Sequence, residues 1–227
     1  MTSKTKLDEV RAEFLRRLTL GDGRLLHSIE DHISSRLGKM LRPQLLLAAA
    51  TLGDQVLNSR RTLLLAVAVE MLHNASLLHD DVVDRADQRR GQPSVNSLWG
   101  NAATVLAGDY LLSQVMAILH EVDDADAARR INRTVQTMVQ SELLQLEAAA
   151  KPLSADTYLK IIDGKTASLF ATACALGNPQ YEAFGLHYGR LFQLRDDQAD
   201  NEATPFTQQL IATEEKTLAS LQEKLTI

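Results

Sequence analysis

The feature that most limits what this chain can fold into is a long apolar run, Leu63-Leu64-Leu65-Ala66-Val67-Ala68-Val69-Glu70-Met71-Leu72. It continues to Leu77-Leu78 and then breaks into His79-Asp80-Asp81-Val82-Val83-Asp84. The composition is helix-forming and no turn former interrupts it, so the run predicts a buried helix. On such a helix Asp80 and Asp84 stand one turn apart on one face, with Asp81 beside them. Gly91-Gln92-Pro93 forces an end soon afterwards. The three carboxylates therefore lie toward the C-terminal end, where the helix dipole disfavours negative charge by roughly 0.3–1 kcal/mol each. Stability alone would not select that placement, so a positive charge from the chain or from a ligand is expected there.

Nearly every other stretch also has the helical period, and none shows sustained alternation of β-branched residues. The pattern predicts about nine helices, over 6–19, 24–37, 42–53, 59–84, 101–121, 125–150, 154–177, 180–200 and 206–225. Breaks fall at Gly21-Asp22-Gly23, Gly38, Gly53-Asp54, Gly91-Gln92-Pro93, Lys151-Pro152 and Gly177-Asn178-Pro179, and Ser154 reads as an N-cap. No repeat or low-complexity linker divides the 227 residues, so a single all-α domain over 1–227, a helical bundle, is expected. With 45% apolar and 23% charged residues the chain fits a soluble fold, and a net charge of −5 without a basic block excludes a nucleic-acid footprint. Cys174 is the only cysteine, which rules out an intrachain disulfide, and its apolar surroundings predict a buried thiol. The N-terminal segment is charged and amphipathic rather than signal-like, and no unbroken apolar run reaches 18 residues, so a cytoplasmic location is expected.

A second acidic cluster, Phe192-Gln193-Leu194-Arg195-Asp196-Asp197-Gln198-Ala199-Asp200, repeats Asp-Asp-x-x-Asp near the end of another apolar helical segment. One such cluster could be a solvated helix face. Two copies at two helix ends point to a cation, and aspartate oxygens suit Mg²⁺, which keeps several waters and shares phosphate oxygens with a substrate. Two such half-sites across a bundle would clamp a phosphorylated ligand. Arg89-Arg90-Gly91 follows the first cluster, and Gly38-Lys39-Met40-Leu41-Arg42-Pro43 precedes an apolar helix. Guanidinium forks and ammonium groups grip diphosphate oxygens, although either pair alone could be solvated loop charge. Gly164-Lys165-Thr166 is not the tail of a P-loop, because the motif's first glycine would fall on Leu159 within a helical pattern. Asp123-Asp124-Ala125-Asp126 reads as a solvated turn between helices.

Together these residues resemble the all-trans isoprenyl (polyprenyl) diphosphate synthases. The resemblance rests on Gly38-Lys39-x-x-Arg42-Pro43, Glu70-x-x-His73-x-x-Ser76-Leu77-Leu78-His79-Asp80-Asp81-x-x-Asp84, Arg89-Arg90-Gly91, Gly164-Lys165-Thr166 and Phe192-Gln193-x-x-Asp196-Asp197-x-x-Asp200. It implies an isoprenoid synthase bundle around a central cavity. In it Asp80, Asp81, Asp84, Asp196, Asp197 and Asp200 would hold Mg²⁺ at an allylic diphosphate. Arg89 and Lys165 would support that diphosphate, Lys39, Arg42, His73 and Arg90 would hold isopentenyl diphosphate, and Thr166 and Gln193 would line the reaction centre. Glu142 and Gln145 would be further pocket residues. The implied reaction joins isopentenyl diphosphate to an allylic diphosphate. Ala75 and Ser76, small residues just before the first motif, leave a product tunnel open and suggest a medium- or long-chain product, with Met116 or Met138 as a deeper floor. A homodimer is implied, as is peripheral membrane contact through a lipid product.

After Asp200 the resemblance weakens. A Gly/Lys-rich loop and several helices usual in the family are not found before the final amphipathic segment, Glu214-Glu215-Lys216-Thr217-Leu218. That departure keeps open a weakly active or inactive isoprenoid-diphosphate-binding subunit of a hetero-oligomeric synthase. A class I terpene cyclase is a third reading, which the paired motifs and Lys39/Arg42 argue against.

Overall fold

The computed structural model describes residues 3–52, 60–89, 91–149, 152–200 and 203–225. Ten α-helices carry most of them: α1 (Ser3–Arg17), α2 (Arg24–Ser34), α3 (Leu41–Leu52), α4 (Arg60–Val83), α5 (Val95–Val122), α6 (Ala125–Ala148), α7 (Ala155–Ile162), α8 (Ser168–Gly177), α9 (Glu182–Ala199) and α10 (Thr207–Leu225). Among the described residues the only strands are β1 (Gln88–Arg89) and β2 (Gln92–Pro93), an antiparallel pair with Arg89 opposite Gln92. The all-α expectation holds. The chain packs into two compact helical units, one of Met1–Gln44 with Asn58–Asp124, the other of Leu45–Leu57 with Ala125–Ile227.

Helix α4 is the core of the first unit. Every residue from Leu64 to Leu72 is buried, Glu70 included, so the helix is covered on all sides as its uniformly apolar composition requires. Helices α1 and α5 pack against it, contributing buried Val10, Phe14, Leu111 and Ile118. Helix α5 begins at Val95, earlier than the predicted 101, because Ser94 caps it: its Oγ accepts from the Ser97 N–H at 3.4 Å and donates to the Ala86 carbonyl at 2.6 Å. The predicted boundary is instead a kink. Gly100 takes φ +83° there, a left-handed conformation that costs glycine no Cβ strain. Asp123 closes α5 in a left-handed conformation and Asp124 is held by Arg61 at 2.6 Å, so this turn is pinned rather than merely solvated. Helices α4 and α5 both have the length and mean hydropathy to cross a membrane, a property hidden from a count of unbroken apolar residues. Burial accounts for α4, whereas α5 leaves Leu98, Val105, Leu106 and Met116 exposed.

In the second unit, Ala49 near the end of α3 packs with Cys174 of α8 and with Tyr181. The thiol is buried as expected, and desolvation pushes it up to about 12, which leaves it protonated and inert. Thr134 of α6 and Thr172 of α8 share a buried hydroxyl hydrogen bond of 2.6 Å. Phe170 of α8 lies 5.5 Å from the Tyr188 ring and 5.4 Å from the Phe192 ring of α9. Ser154 caps α7 as predicted, accepting from the Thr157 N–H at 3.1 Å. The predicted single helix over 154–177 is divided by a π-helical turn, Asp163–Ala167, which separates α7 from α8. Such turns interrupt helices most often where function needs a locally reoriented side chain.

Candidate active site

The first acidic motif sits where the sequence places it, at the C-terminal end of α4. Asp81 is 3% exposed, Asp80 is half-buried and Asp84, one residue past the helix, is exposed. The chain turns sharply at Arg85, φ +51°, into the β1–β2 hairpin. That reversal brings Arg89 back onto the helix, where its Nε donates to Asp81 Oδ1 at 2.7 Å. The cation that the helix end calls for is therefore supplied in part by the chain itself. Asn96 of α5 donates to the Asp81 carbonyl at 3.1 Å, and Arg36 at the end of the α2 segment donates to the Pro93 carbonyl at 2.7 Å and to Gln92 at 3.2 Å. The hairpin is thus tied down at both of its strands.

Beside this pair lies a cavity of about 280 Å³ whose wall includes Arg36, Gly38, Asn74, Leu77, Asp81 and Arg89. Of the other predicted basic residues, Lys39 is exposed, and Arg42 and His73 are half-buried. None of these three is in the described wall of that cavity. Arg90 lies outside the described residues. Ala75 is fully buried, and Ser76 is half-buried with its hydroxyl donating to the His73 carbonyl at 2.9 Å. Of the two candidate tunnel floors, Met138 is buried and Met116 is 65% exposed.

The second motif ends α9. Asp196 and Asp200 are exposed and Asp197 is half-buried. Asp197 is held from two sides: Gln193 Nε2 donates to Oδ1 at 2.6 Å, and the Tyr158 hydroxyl of α7 donates to Oδ2. Thr166 Oγ1 donates in turn to Gln193 Oε1 at 2.7 Å. Thr166, Gln193 and Asp197 thus form one connected chain of side chains. Tyr158 extends it and was not legible as a site residue, because a tyrosine in an apolar helical pattern reads as core. Burial and the adjacent Asp197 carboxylate push its phenol upward, with Thr207 opposing, so it stays a donor.

The π-helical turn presents Lys165 and Thr166. Lys165 pairs with Glu142 of α6 at 2.6 Å, which makes Glu142, expected as a pocket residue, the lysine's counter-ion. The turn is anchored by Arg190 of α9, whose Nε and Nη2 reach Asp163 at 2.5 and 2.7 Å and whose Nη1 reaches buried Glu214 of α10 at 3.3 Å. Gly164 allows the close approach to α6: a Cβ there would stand 1.7 Å from Ser141 Oγ.

Each Asp-Asp-x-x-Asp helix end carries an oriented aspartate, the first beside an arginine hairpin and the second beside a lysine-threonine turn. The polyprenyl synthetase family model matches residues 23–214. The chain belongs to the polyprenyl synthetase family. The all-trans-nonaprenyl-diphosphate synthase (geranyl-diphosphate specific) of Rhodobacter capsulatus is 37% identical over 187 residues, 78% of this chain and 57% of that protein. The octaprenyl diphosphate synthase of Escherichia coli is 32% identical over 86% of this chain and 62% of its own length. A solved polyprenyl synthase from Caulobacter crescentus, complexed with calcium and isoprenyl diphosphate, superposes with a TM-score of 0.79 at 33% identity, covering 86% of this chain and 62% of that one. The chain thus spans about three fifths of the length of these three proteins.

Proposed function

We propose that the chain is a trans-prenyltransferase that condenses isopentenyl diphosphate with an allylic diphosphate into a medium- or long-chain polyprenyl diphosphate. The observation that carries this reading is the connected set Thr166–Gln193–Asp197 on one helix end together with the Asp81–Arg89 pair on the other. The names of the relatives, nonaprenyl and octaprenyl diphosphate synthases, support the product class, as do the small side chains of Ala75 and Ser76.

The donor set fits Mg²⁺. It consists of carboxylates, which are hard oxygen ligands, and among the described residues no three metal-ligating side chains are gathered into a ready cage. A metal that keeps waters and takes the rest of its ligands from substrate phosphates suits such a set. Asp80, Asp81 and Asp84 on one motif and Asp196, Asp197 and Asp200 on the other are the residues that would hold it. Mg²⁺, when bound, supplies positive charge to the departing diphosphate.

The chain's own residues do the rest. Arg89 and Lys165 exchange Asp81 and Glu142 for diphosphate oxygens, and Lys39, Arg42, His73 and Arg90 hold isopentenyl diphosphate. The allylic C–O bond breaks with its electron pair leaving on the diphosphate. The isopentenyl double bond then attacks the allylic cation, and a proton leaves the condensed product. The Thr166 hydroxyl and the Gln193 amide, each fixed by a hydrogen bond, present oriented dipoles to the developing charge; such preorganised groups are most effective where water is excluded.

A homodimer would cover the apolar residues left exposed on α5, of which Val105 and Met116, both beyond the Gly100 kink, share one helix face. The setting is cytoplasmic, with membrane contact only through the lipid product. Light scattering of the purified protein checks the dimer, and a monomer that floats with liposomes would contradict it. Incubation with Mg²⁺, labelled isopentenyl diphosphate and a short allylic diphosphate, followed by sizing of the lipid, tests the activity. Elongated linear product is expected; cyclised hydrocarbon, or tight ligand binding without any product, would refute it.

A further inference from the structure

Tyr158 is 6% exposed and belongs to a small apolar cluster with Ile162 and Leu194. Phe206, just before α10, covers its ring at a centroid distance of 5.4 Å and a tilt of 56°, and Leu210 and Ile211 of α10 pack on the same cluster. The approach to α10 is itself fixed: the Thr204 N–H and Thr204 Oγ1 both lie 2.8 Å from Thr207 Oγ1, and Thr207 is 1% exposed. From this apolar cluster the phenol donates to Asp197 Oδ2. With Gln193 on Oδ1, both oxygens of Asp197 are oriented by neutral donors. Each carboxylate oxygen still keeps a second lone pair for a cation.

We infer that Tyr158 is a positioning residue for the second acidic motif: its hydroxyl sets the Asp197 carboxylate, and Phe206 with the Thr204–Thr207 turn shields that hydrogen bond from water. The metal affinity of the motif then depends on a segment that follows it in the chain. The inference rests on the synthase reading, which makes the motif a cation site. Partners that orient metal ligands typically change metal affinity or activity by about 10–100-fold when removed, whereas loss of a packing contact alone leaves the affinity of the folded protein unchanged. A ring held by Phe206 and Leu194 tolerates loss of the hydroxyl without a cavity, so Tyr158→Phe separates the two roles.

The test uses the full chain with Mn²⁺ as a paramagnetic probe in the presence of inorganic diphosphate, free Mn²⁺ being followed by electron paramagnetic resonance. Tyr158→Phe is expected to raise the Mn²⁺ half-saturation about tenfold. Its melting temperature should stay near that of the parent, and in turnover kcat should fall more than the KM for isopentenyl diphosphate changes. Phe206→Ala should weaken Mn²⁺ binding by a smaller factor, and Phe206→Leu should restore it. Parental Mn²⁺ affinity in both Tyr158→Phe and Phe206→Ala, measured while both are folded and while Asp197→Asn binds weakly, would overturn the inference and leave the synthase reading standing. Equal Mn²⁺ binding by the parent, Asp81→Asn and Asp197→Asn would instead remove the cation site, and the inference would fall with it.

Discussion

Replacing Gly164 by alanine tests whether the π-helical turn must lie hard against α6. The added Cβ would stand 1.7 Å from Ser141 Oγ, 2.7 Å from Ser141 Cβ and 3.1 Å from the Thr137 carbonyl oxygen. Rotating the serine hydroxyl away removes only the first of these contacts, so the backbone of the turn has to move by roughly 1 Å. Overpacking of this kind costs about 1–3 kcal/mol. The functional cost is larger. Lys165 and Thr166 ride on the displaced turn, and a misplacement of about 1 Å lowers catalysis by roughly 10²-fold. Ser141→Gly deletes the two closest atoms and leaves the 3.1 Å contact, at the expense of about 1 kcal/mol for a glycine inside α6. The two substitutions should therefore compensate each other. In urea unfolding the double variant should be more stable than the summed penalties predict by about 1–2 kcal/mol, and its turnover should recover relative to Gly164→Ala alone. Penalties that add to within about 0.5 kcal/mol, or a Gly164→Ala enzyme of parental rate, would refute the close-approach argument.

Three further outcomes are expected. Glu13, 8% exposed, accepts hydrogen bonds from Arg16 and, against the opposing effect of burial, from Arg17, with Arg60 adding charge; together they hold its carboxyl down from 4.5 to about 2. A depressed carboxyl stabilises the fold fully above pH 4.5 and loses that contribution as the pH falls toward 2. At most about 3 kcal/mol is involved, and about 2 is expected after solvent screening at Arg16 and Arg60. The stability gap between the parent and Glu13→Gln should thus be widest at pH 7 and shrink by pH 3 in urea titrations, and a constant gap would contradict it. Asp81→Ala and Asp197→Ala should each lower turnover by at least about 10²-fold, and a near-parental rate in either would argue against the metal assignment. Ser76→Phe, at a half-buried position, should shorten the radiolabelled product of a soluble enzyme, whereas Ala75→Phe, at a fully buried one, should also destabilise it by about 1–3 kcal/mol; unchanged product length in both would count against an open tunnel at this level.

What could be read from the sequence was local. The burial of Leu64 to Leu72, the cap at Ser154 and the placement of Asp80-Asp81 at a helix end depend on periodicity, capping chemistry and proline-glycine punctuation, all contained within a few turns. The features that escaped it depend on contacts far along the chain. Nothing within 154–177 distinguishes a continuous helix from α7 plus a π-helical turn; Arg190 anchors that turn from 27 residues beyond Asp163. Tyr158 acquires its role only from Asp197, 39 residues away, and Glu142 becomes a counter-ion only because Lys165 is turned toward it. The kink at Gly100 lies between these cases, since the predicted helix start at 101 falls beside it but helix also continues on its other side, back to Val95.

The two acidic motifs share a pattern but not an electrostatic state. Asp81 is paired with a cation, Arg89, and is nearly fully buried, so part of the negative charge at that helix end is already answered by the chain. In the proposed reaction, a diphosphate there would require Arg89 to leave one anion for another, an exchange that conserves charge pairing and turns on geometry. Asp197 is held by an amide and a phenol, which orient it without cancelling its charge, and the neighbouring Arg195 is engaged with Glu215 at 2.6 Å. Asp197 therefore keeps its charge while being fixed in direction. For the proposed cation site, orientation by neutral donors would preserve affinity, because a cationic partner would have to be displaced before metal could bind. The hydroxyl of Tyr158 meets that requirement where a lysine or arginine would not.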